Sequence, residues 1–163
     1  MYYGEHQTVL DDKGRVTAPV RFRDIMRVLG HDMWYMTRGF DHAIFLFHRK
    51  EWERICSHAR RYSTMNAKAL DFRRLLFGSV AEVRPDRQGR ILVPTHLREH
   101  AGLEREAVLI GVDDHLELWS KEGWASFQKS KDDEFKEMAT QLFAGDEQSC
   151  GNGETENVAD RED

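Results

Sequence analysis

Residues 11–23 and residues 86–98 carry the same pattern, 75 positions apart. The first segment reads DDKGRVTAPVRFR and the second reads DRQGRILVPTHLR. Identical residues fill five matching positions, namely Asp11 and Asp86, Gly14 and Gly89, Arg15 and Arg90, Pro19 and Pro94, and Arg23 and Arg98. Glycine readily adopts positive φ and proline suits the start of a helix, so each copy predicts a tight turn, a strand and a helix start. We expect each aspartate to bind the backbone of its own turn.

The elements around these segments also repeat, in the order hairpin, short helix, hairpin. Each half has about four short strands, which bury too little surface to fold alone, so the two halves must share one core. We therefore predict an α+β fold with a mainly β core, in which two pseudo-symmetric halves form one barrel. The predicted segments are a first half-barrel at 5–52, a helical connector at 53–79, a second half-barrel at 80–124, a C-terminal helix at 125–144 and a disordered acidic tail at 145–163.

The charge of the chain is distributed unevenly. The whole chain carries −5 and residues 145–163 carry −6, so residues 1–144 carry +1. Five cations crowd residues 13–27 against one carboxylate, at Lys13, Arg15, Arg21, Arg23 and Arg27. The acidic balance of the whole chain therefore does not exclude a polyanionic partner, because charge acts locally.

Other features exclude several classes of protein. No apolar stretch approaches the roughly 20 residues of a membrane span, and the first ten residues lack the pattern of a signal peptide. Two cysteines, Cys56 and Cys150, make a structural disulfide framework improbable and favour a reducing cytoplasm. We find no phosphate-binding glycine loop and no cofactor motif.

The two tandem Asp-x-x-Gly-Arg motifs, together with the start MYYGEHQTVLDDKGRVTAPVRFR, resemble the MraZ family. The resemblance covers residues 1 to about 143. It implies a swapped-hairpin barrel of the SpoVT/AbrB type, a ring-shaped homo-oligomer, and sequence-specific binding of double-stranded DNA that regulates transcription. It also implies a cytoplasmic, nucleoid-associated protein that acts on repeated operator boxes upstream of the bacterial division and cell-wall gene cluster. No cofactor and no catalysis are implied.

The resemblance also assigns the DNA contacts to the basic residues of the two turns. Carried onto this chain, these are Lys13, Arg15, Arg87 and Arg90. The second motif departs from the first because Gln88 stands where the first has Lys13, and its cation is shifted to Arg87. Arg21 and Arg23 are possible additional contacts from the following helix.

Physical chemistry supports two roles for Arg15 and Arg90. A guanidinium that follows a projecting turn can contact a phosphate or donate a fork of hydrogen bonds to guanine O6 and N7. Alternatively, each arginine pairs with an aspartate and pins its hairpin. The two roles are compatible.

Three further functions are compatible with parts of the sequence. The first is a zinc hydrolase, because His96-Leu97-Arg98-Glu99-His100 matches the H-x-x-E-H spacing of some zinc peptidases and its two histidines would share one helix face. The first repeat has Arg21 and Ile25 at the matching positions, which explains the segment without a metal. The second is an oligomeric scaffold that binds no DNA, and the third is an antitoxin of the same half-barrel class.

Overall fold

A computed structural model describes residues 1–144, which form eight strands and six helices. The strands are β1 Tyr2–Val9, β2 Arg15–Thr17, β3 Trp34–Arg38, β4 Ile44–Phe47, β5 Ala81–Val83, β6 Arg90–Leu92, β7 Glu106–Asp113 and β8 His115–Ser120. The helices are α1 Val20–Val28, α2 Arg49–Arg60, α3 Ala67–Gly78, α4 Thr95–Ala101, α5 Lys121–Lys131 and α6 Phe135–Ala144. The predicted α+β class is confirmed, and the predicted acidic tail lies outside the described residues.

Six strands form one antiparallel sheet in the order β1-β7-β8-β4-β3-β5. If each strand is replaced by its counterpart in the other half, the same order results, read from the opposite edge. A pseudo-two-fold axis therefore passes between β4 and β8. The first strand of each half, β1 or β5, pairs with a strand of the other half, β7 or β3. The halves are therefore interlocked, because the first strand of each half has its partner in the other half, while the β3–β4 and β7–β8 pairs lie within one half.

The strands on either side of each glycine turn do not pair with each other, which corrects the prediction of a hairpin there. Strand β1 joins the large sheet, whereas β2 pairs with β6 in a separate two-stranded antiparallel sheet. The large sheet is not closed, because β1 and β5 are its edges. The swapped-hairpin barrel and the predicted division into half-barrels therefore stay predictions.

One hydrophobic core joins the two sheets and the short helices. Val16 of β2 and Ile91 of β6 are fully buried, together with Phe22 of α1 and Leu97 of α4. These residues pack in one cluster with side chains of the large sheet such as Trp34. The two-stranded sheet is thus anchored by its inner face, which leaves its outer face in solvent.

The residues between the halves form two helices, and α2 begins at Arg49, before the predicted connector at 53–79, whose bounds stay a prediction. Helix α3 begins where the Asn66 side chain accepts a hydrogen bond from the Ala69 N–H, and it ends at Gly78 as expected. Trp52 and Leu76 pack in a second buried cluster. None of the helices within residues 1–144 combines the length and apolar character needed to cross a bilayer.

The C-terminal segment forms two helices, α5 and α6, where the sequence predicts one. The start of α5 is capped by Ser120, whose Oγ accepts a hydrogen bond from the Gly123 N–H at 3.2 Å, as expected. Residues 1–126 form one compact unit, and the remaining described residues belong to a second.

Candidate nucleic-acid interface

The first glycine turn is held together by Asp11. Its Oδ1 accepts hydrogen bonds from the backbone N–H groups of Lys13 and Arg15, both at 2.9 Å. Gly14 adopts a φ of 75°, which favours glycine, and its N–H donates to the Asp11 carbonyl at 2.9 Å. The predicted contact of the aspartate with its own turn is confirmed, and the turn is rigid because its backbone donors are satisfied.

The second turn repeats this geometry around Asp86. Its Oδ1 accepts from the N–H groups of Gln88 and Arg90, both at 2.9 Å, and Gly89 has a φ of 79°. Hydrogen bonds from the Arg90 backbone and then from its side chain lower the pKa of Asp86 to about 2. Both aspartates therefore stay ionised at neutral pH, since the pKa of Asp11 is also lowered, first by the side chain of Arg15.

The two motif arginines are not unpaired, because each contacts the aspartate of its own turn. Arg15 donates from Nε to Asp11 Oδ2 at 2.8 Å, and its Nη2 lies 2.7 Å from the same oxygen. Arg90 contacts Asp86 Oδ2 in the same way, at 2.8 Å from both nitrogens. The two side chains are only 24% and 31% exposed. The structure thus realises the pinning role that the sequence left open.

Strands β2 and β6 bring the two motifs side by side. Val16 lies opposite Ile91 on the buried face. The register pairs Arg15 with Leu92 and Thr17 with Arg90, and side chains of directly opposite residues share one face of a sheet. The outward face of this ribbon, which we call the ribbon face, carries Arg15, Thr17, Arg90 and Leu92.

The two turns lie at opposite ends of the ribbon face, because the strands run antiparallel. Lys13 is exposed at one end and Arg87 is exposed at the other. Neither side chain forms an ion pair or a hydrogen bond within residues 1–144. These two predicted contact residues are therefore the free cations of the motifs.

An arginine from each half packs against the glycine of the other half. A Cβ placed on Gly89 would lie 2.6 Å from Cζ of Arg23, and a Cβ on Gly14 would lie 3.0 Å from Cζ of Arg98. The Nε of Arg23 also donates to the Ala18 carbonyl at 3.1 Å. A Cβ at Gly89 would force the Arg23 guanidinium to shift, and one at Gly14 would crowd that of Arg98, so α1 and α4 each brace the turn of the opposite half.

Arg98 is the residue that the sequence-based prediction of the site missed. The alignment of Arg98 with Arg23 was visible in the sequence. The sequence did not show that the two halves cross, which is what brings Arg98 to the first turn. The interface then holds six cations against three carboxylates. The cations are Lys13, Arg15, Arg23, Arg87, Arg90 and Arg98, and the carboxylates are Asp11, Asp12 and Asp86.

Arg21 lies against β1. Its Nη2 donates to the Tyr3 carbonyl at 2.7 Å, and its Cζ lies 4.6 Å from the centre of the Phe22 ring. These contacts occupy one edge of the guanidinium. Of the two additional candidates for DNA contact, Arg21 is therefore weaker than Arg23.

The histidines of the H-x-x-E-H segment contact different parts of the protein. The Nε2 of His96 lies 3.0 Å from the Ser79 carbonyl, whereas Nδ1 of His100 lies 3.2 Å from Nη2 of Arg38. Burial and then the nearby Arg38 charge lower the pKa of His100. In the described part of the chain, no group of three or more His, Cys, Asp or Glu side chains is arranged to hold a metal.

Comparison with known proteins agrees with the tandem motifs. The family model described as "MraZ protein, putative antitoxin-like" matches residues 1–75 and again residues 76–145. A relative from Heliobacterium modesticaldum is 36% identical over 143 residues, which cover 88% of this chain and 97% of the relative. One from Carboxydothermus hydrogenoformans is 39% identical over 142 residues, which cover 87% of this chain and 96% of the relative. Both relatives are named Transcriptional regulator MraZ. The chain belongs to the MraZ family.

Proposed function

We propose that this protein is a transcriptional regulator that binds double-stranded DNA sequence-specifically through the ribbon face. The observation that carries the proposal is the outward pair Arg15 and Arg90 on a two-stranded antiparallel ribbon, with a free cation at each end. The naming of its relatives as transcriptional regulators supports it. Catalysis forms no part of the proposal.

The shape of the ribbon fits the major groove of DNA, which admits a two-stranded β-ribbon as well as an α-helix. The aspartates do not block this use of the arginines. Asp11 engages Nε and Nη2 of Arg15. Nη1 of Arg15 lies 3.7 Å from Asp86 Oδ2, a longer contact than those to Asp11. This longer contact has to give way before Nη1 and the second hydrogen of Nη2 donate a fork to guanine. The carboxylate thus orients the guanidinium before DNA arrives, which lowers the entropy lost on binding.

Lys13 and Arg87 are suited to contact phosphates, because they are exposed charges on turns beyond the ribbon. Such contacts fix the register of the protein on the duplex and carry no sequence information. Arg23 and Arg98 could add a phosphate contact through donors that the braces leave open. Specificity then rests on the ribbon face.

We also propose the finer architecture that the resemblance implies. The large sheet and the ribbon share one core, as the two parts of a swapped-hairpin barrel would. Several copies assemble into a ring, and the large side chains that α3 and the β3–β4 loop leave exposed support this, namely Phe40, Phe72 and Leu75. A ring on repeated operator boxes gains affinity by avidity, about 10²- to 10⁴-fold. The protein then acts in the cytoplasm, on the nucleoid.

The test begins with selection of bound duplexes from random DNA by the full-length protein. Arg15→Lys and Arg90→Lys keep the charge but lose the fork, so each costs about 1–3 kcal/mol, or roughly 5- to 150-fold, on the selected duplex. Binding to an unrelated duplex changes little. Lys13→Ala and Arg87→Ala weaken binding to both duplexes and lower the salt slope by about 1 each.

Lys68→Ala is the matched control, because Lys68 is exposed on α3, away from the turns. It should leave both affinities and the salt slope unchanged. Selection that enriches no sequence, with a folded protein, would refute the proposal and favour the oligomeric scaffold. Equal loss in the Lys68 variant would show that net charge alone drives the binding.

A further inference from the structure

Leu92 is an exposed apolar side chain in the middle of a cationic surface. It is 55% exposed and lies directly opposite Arg15 on the ribbon face. Its neighbours along the strand are turned the other way, since Ile91 and Val93 are both fully buried. Leu92 therefore lies outside the buried core cluster, and about half of its side chain stays in contact with water.

The residue equivalent to Leu92 in the other half of the chain has a different chemical character. Its counterpart in the first half is Thr17, which lies opposite Arg90. The ribbon face therefore has two identical positions, the arginines, and two that differ. At one end an arginine stands beside a leucine, and at the other an arginine stands beside a threonine.

The dimensions of the ribbon face match neighbouring base pairs. Directly opposite side chains are about 5 Å apart across the ribbon. Alternate residues of one strand are about 7 Å apart, which is roughly two base-pair steps. A base contacted by Leu92 is therefore adjacent to the base contacted by Arg15.

We propose that Leu92 contacts the 5-methyl group of a thymine in the major groove, beside the base that Arg15 contacts. The inference rests on the proposed function, because it needs the ribbon face to lie in the groove. The thymine methyl is the only apolar group that base edges present there, and apolar side chains recognise it. Thr17 offers a hydroxyl as well as a methyl group, so the other end of the ribbon accepts several bases.

It follows that the DNA sequence contacted by one ribbon is not a perfect palindrome. The two arginines select related bases at its two ends. Leu92 and Thr17 make the ends unequal, so they fix the direction in which each protomer lies on its site. Directional binding is what a series of repeats in one orientation requires.

The experiment uses the full-length protein and the duplex obtained by selection. Each thymine is replaced in turn by deoxyuridine, which removes only the methyl group, and affinity is measured by fluorescence anisotropy. We expect one position at which the replacement weakens wild-type binding about four-fold, the effect of one buried methyl group. At that position Leu92→Ala should show no further response to the replacement.

Leu29→Ala is the matched control, because Leu29 is also a leucine, is 46% exposed and follows the end of α1, outside the ribbon face and the proposed assembly contacts. It should respond to deoxyuridine as the wild type does. A second variant, Leu92→Thr, makes the ribbon face symmetric, so a repeated selection should give sites closer to a palindrome.

The outcomes separate the inference from the proposed function. If selection enriches no sequence, both fail. If a sequence is enriched and no thymine shows a response that depends on Leu92, the inference is overturned and DNA binding stands. If Leu92→Ala lowers the mass of the free assembly, Leu92 lies in a contact between copies, which also overturns it.

Discussion

Replacing Gly89 with alanine tests whether the Arg23 brace matters for DNA binding as well as for folding. The alanine must keep a φ near 79°, which costs an L residue about 1–2 kcal/mol. Its Cβ would also lie 2.6 Å from Cζ and 2.7 Å from Nε of Arg23. Ordinary contacts between carbon atoms are about 3.5–4.0 Å, so the guanidinium must move by about 1 Å.

Gly30→Ala isolates the backbone contribution. Gly30 has a similar φ of 72°, and a Cβ there would meet no atom within 4 Å. Both variants should therefore lose about 1–2 kcal/mol of unfolding free energy in urea, measured at one protein concentration. Only Gly89→Ala should also weaken DNA binding, because only it displaces Arg23 from the turn that carries Arg87 and Arg90.

A double-mutant cycle makes the assay specific to the brace. In an Arg23→Ala background, Gly89→Ala should cause no additional loss of DNA affinity, since the clashing side chain is gone. Equal weakening by Gly30→Ala, or wild-type affinity in folded Gly89→Ala, would show that the brace does not position the turn.

Two further predictions concern pH and assembly. Burial lowers the pKa of His115, but hydrogen bonds to Glu117 and Asp114 outweigh it and the net shift is upward. The folded pKa therefore exceeds the unfolded value, so the stabilisation by His115 is complete below about pH 6.5 and is lost as pH rises through the folded pKa. Urea unfolding of wild type and His115→Gln at pH 6 and pH 9 should show a smaller difference at pH 9; an unchanged difference would contradict this. Light scattering should show an assembly of several chains that Phe72→Ser dissociates and Val28→Ser, at a more exposed apolar residue of α1, does not; a single-chain mass for the wild type would contradict the ring.

Features determined by neighbours in the chain could be predicted from the sequence. Positive φ at Gly14 and Gly89, the aspartate contacts within each turn and the Ser120 cap all depend on residues within four positions. The α+β class followed from the order of such elements. Their prediction needed no knowledge of tertiary structure.

Features that depend on which strands pair could not be predicted from the sequence. Nothing in β1 specifies β7, about 100 residues away, as its partner, because alternating apolar residues fit many registers equally well. The hairpin expected at each turn failed for this reason. The bracing of Gly14 by Arg98 was also invisible, since it exists only once the two halves cross.

The positions at which the two repeats differ support the assignment of the ribbon face more directly than those at which they agree. The shared aspartates, glycines and arginines build the turns and braces, so their agreement has a structural reason besides any contact with DNA. The pairs that differ around the ribbon are Asp12 with Arg87, Lys13 with Gln88, and Thr17 with Leu92. All six side chains are exposed at the ends or on the outward face of the ribbon. Exposed positions of a surface that only held the halves together could differ at random with little effect on stability, whereas a surface that contacts an asymmetric DNA sequence depends on these differences, so exchanging Thr17 and Leu92 tells the two apart.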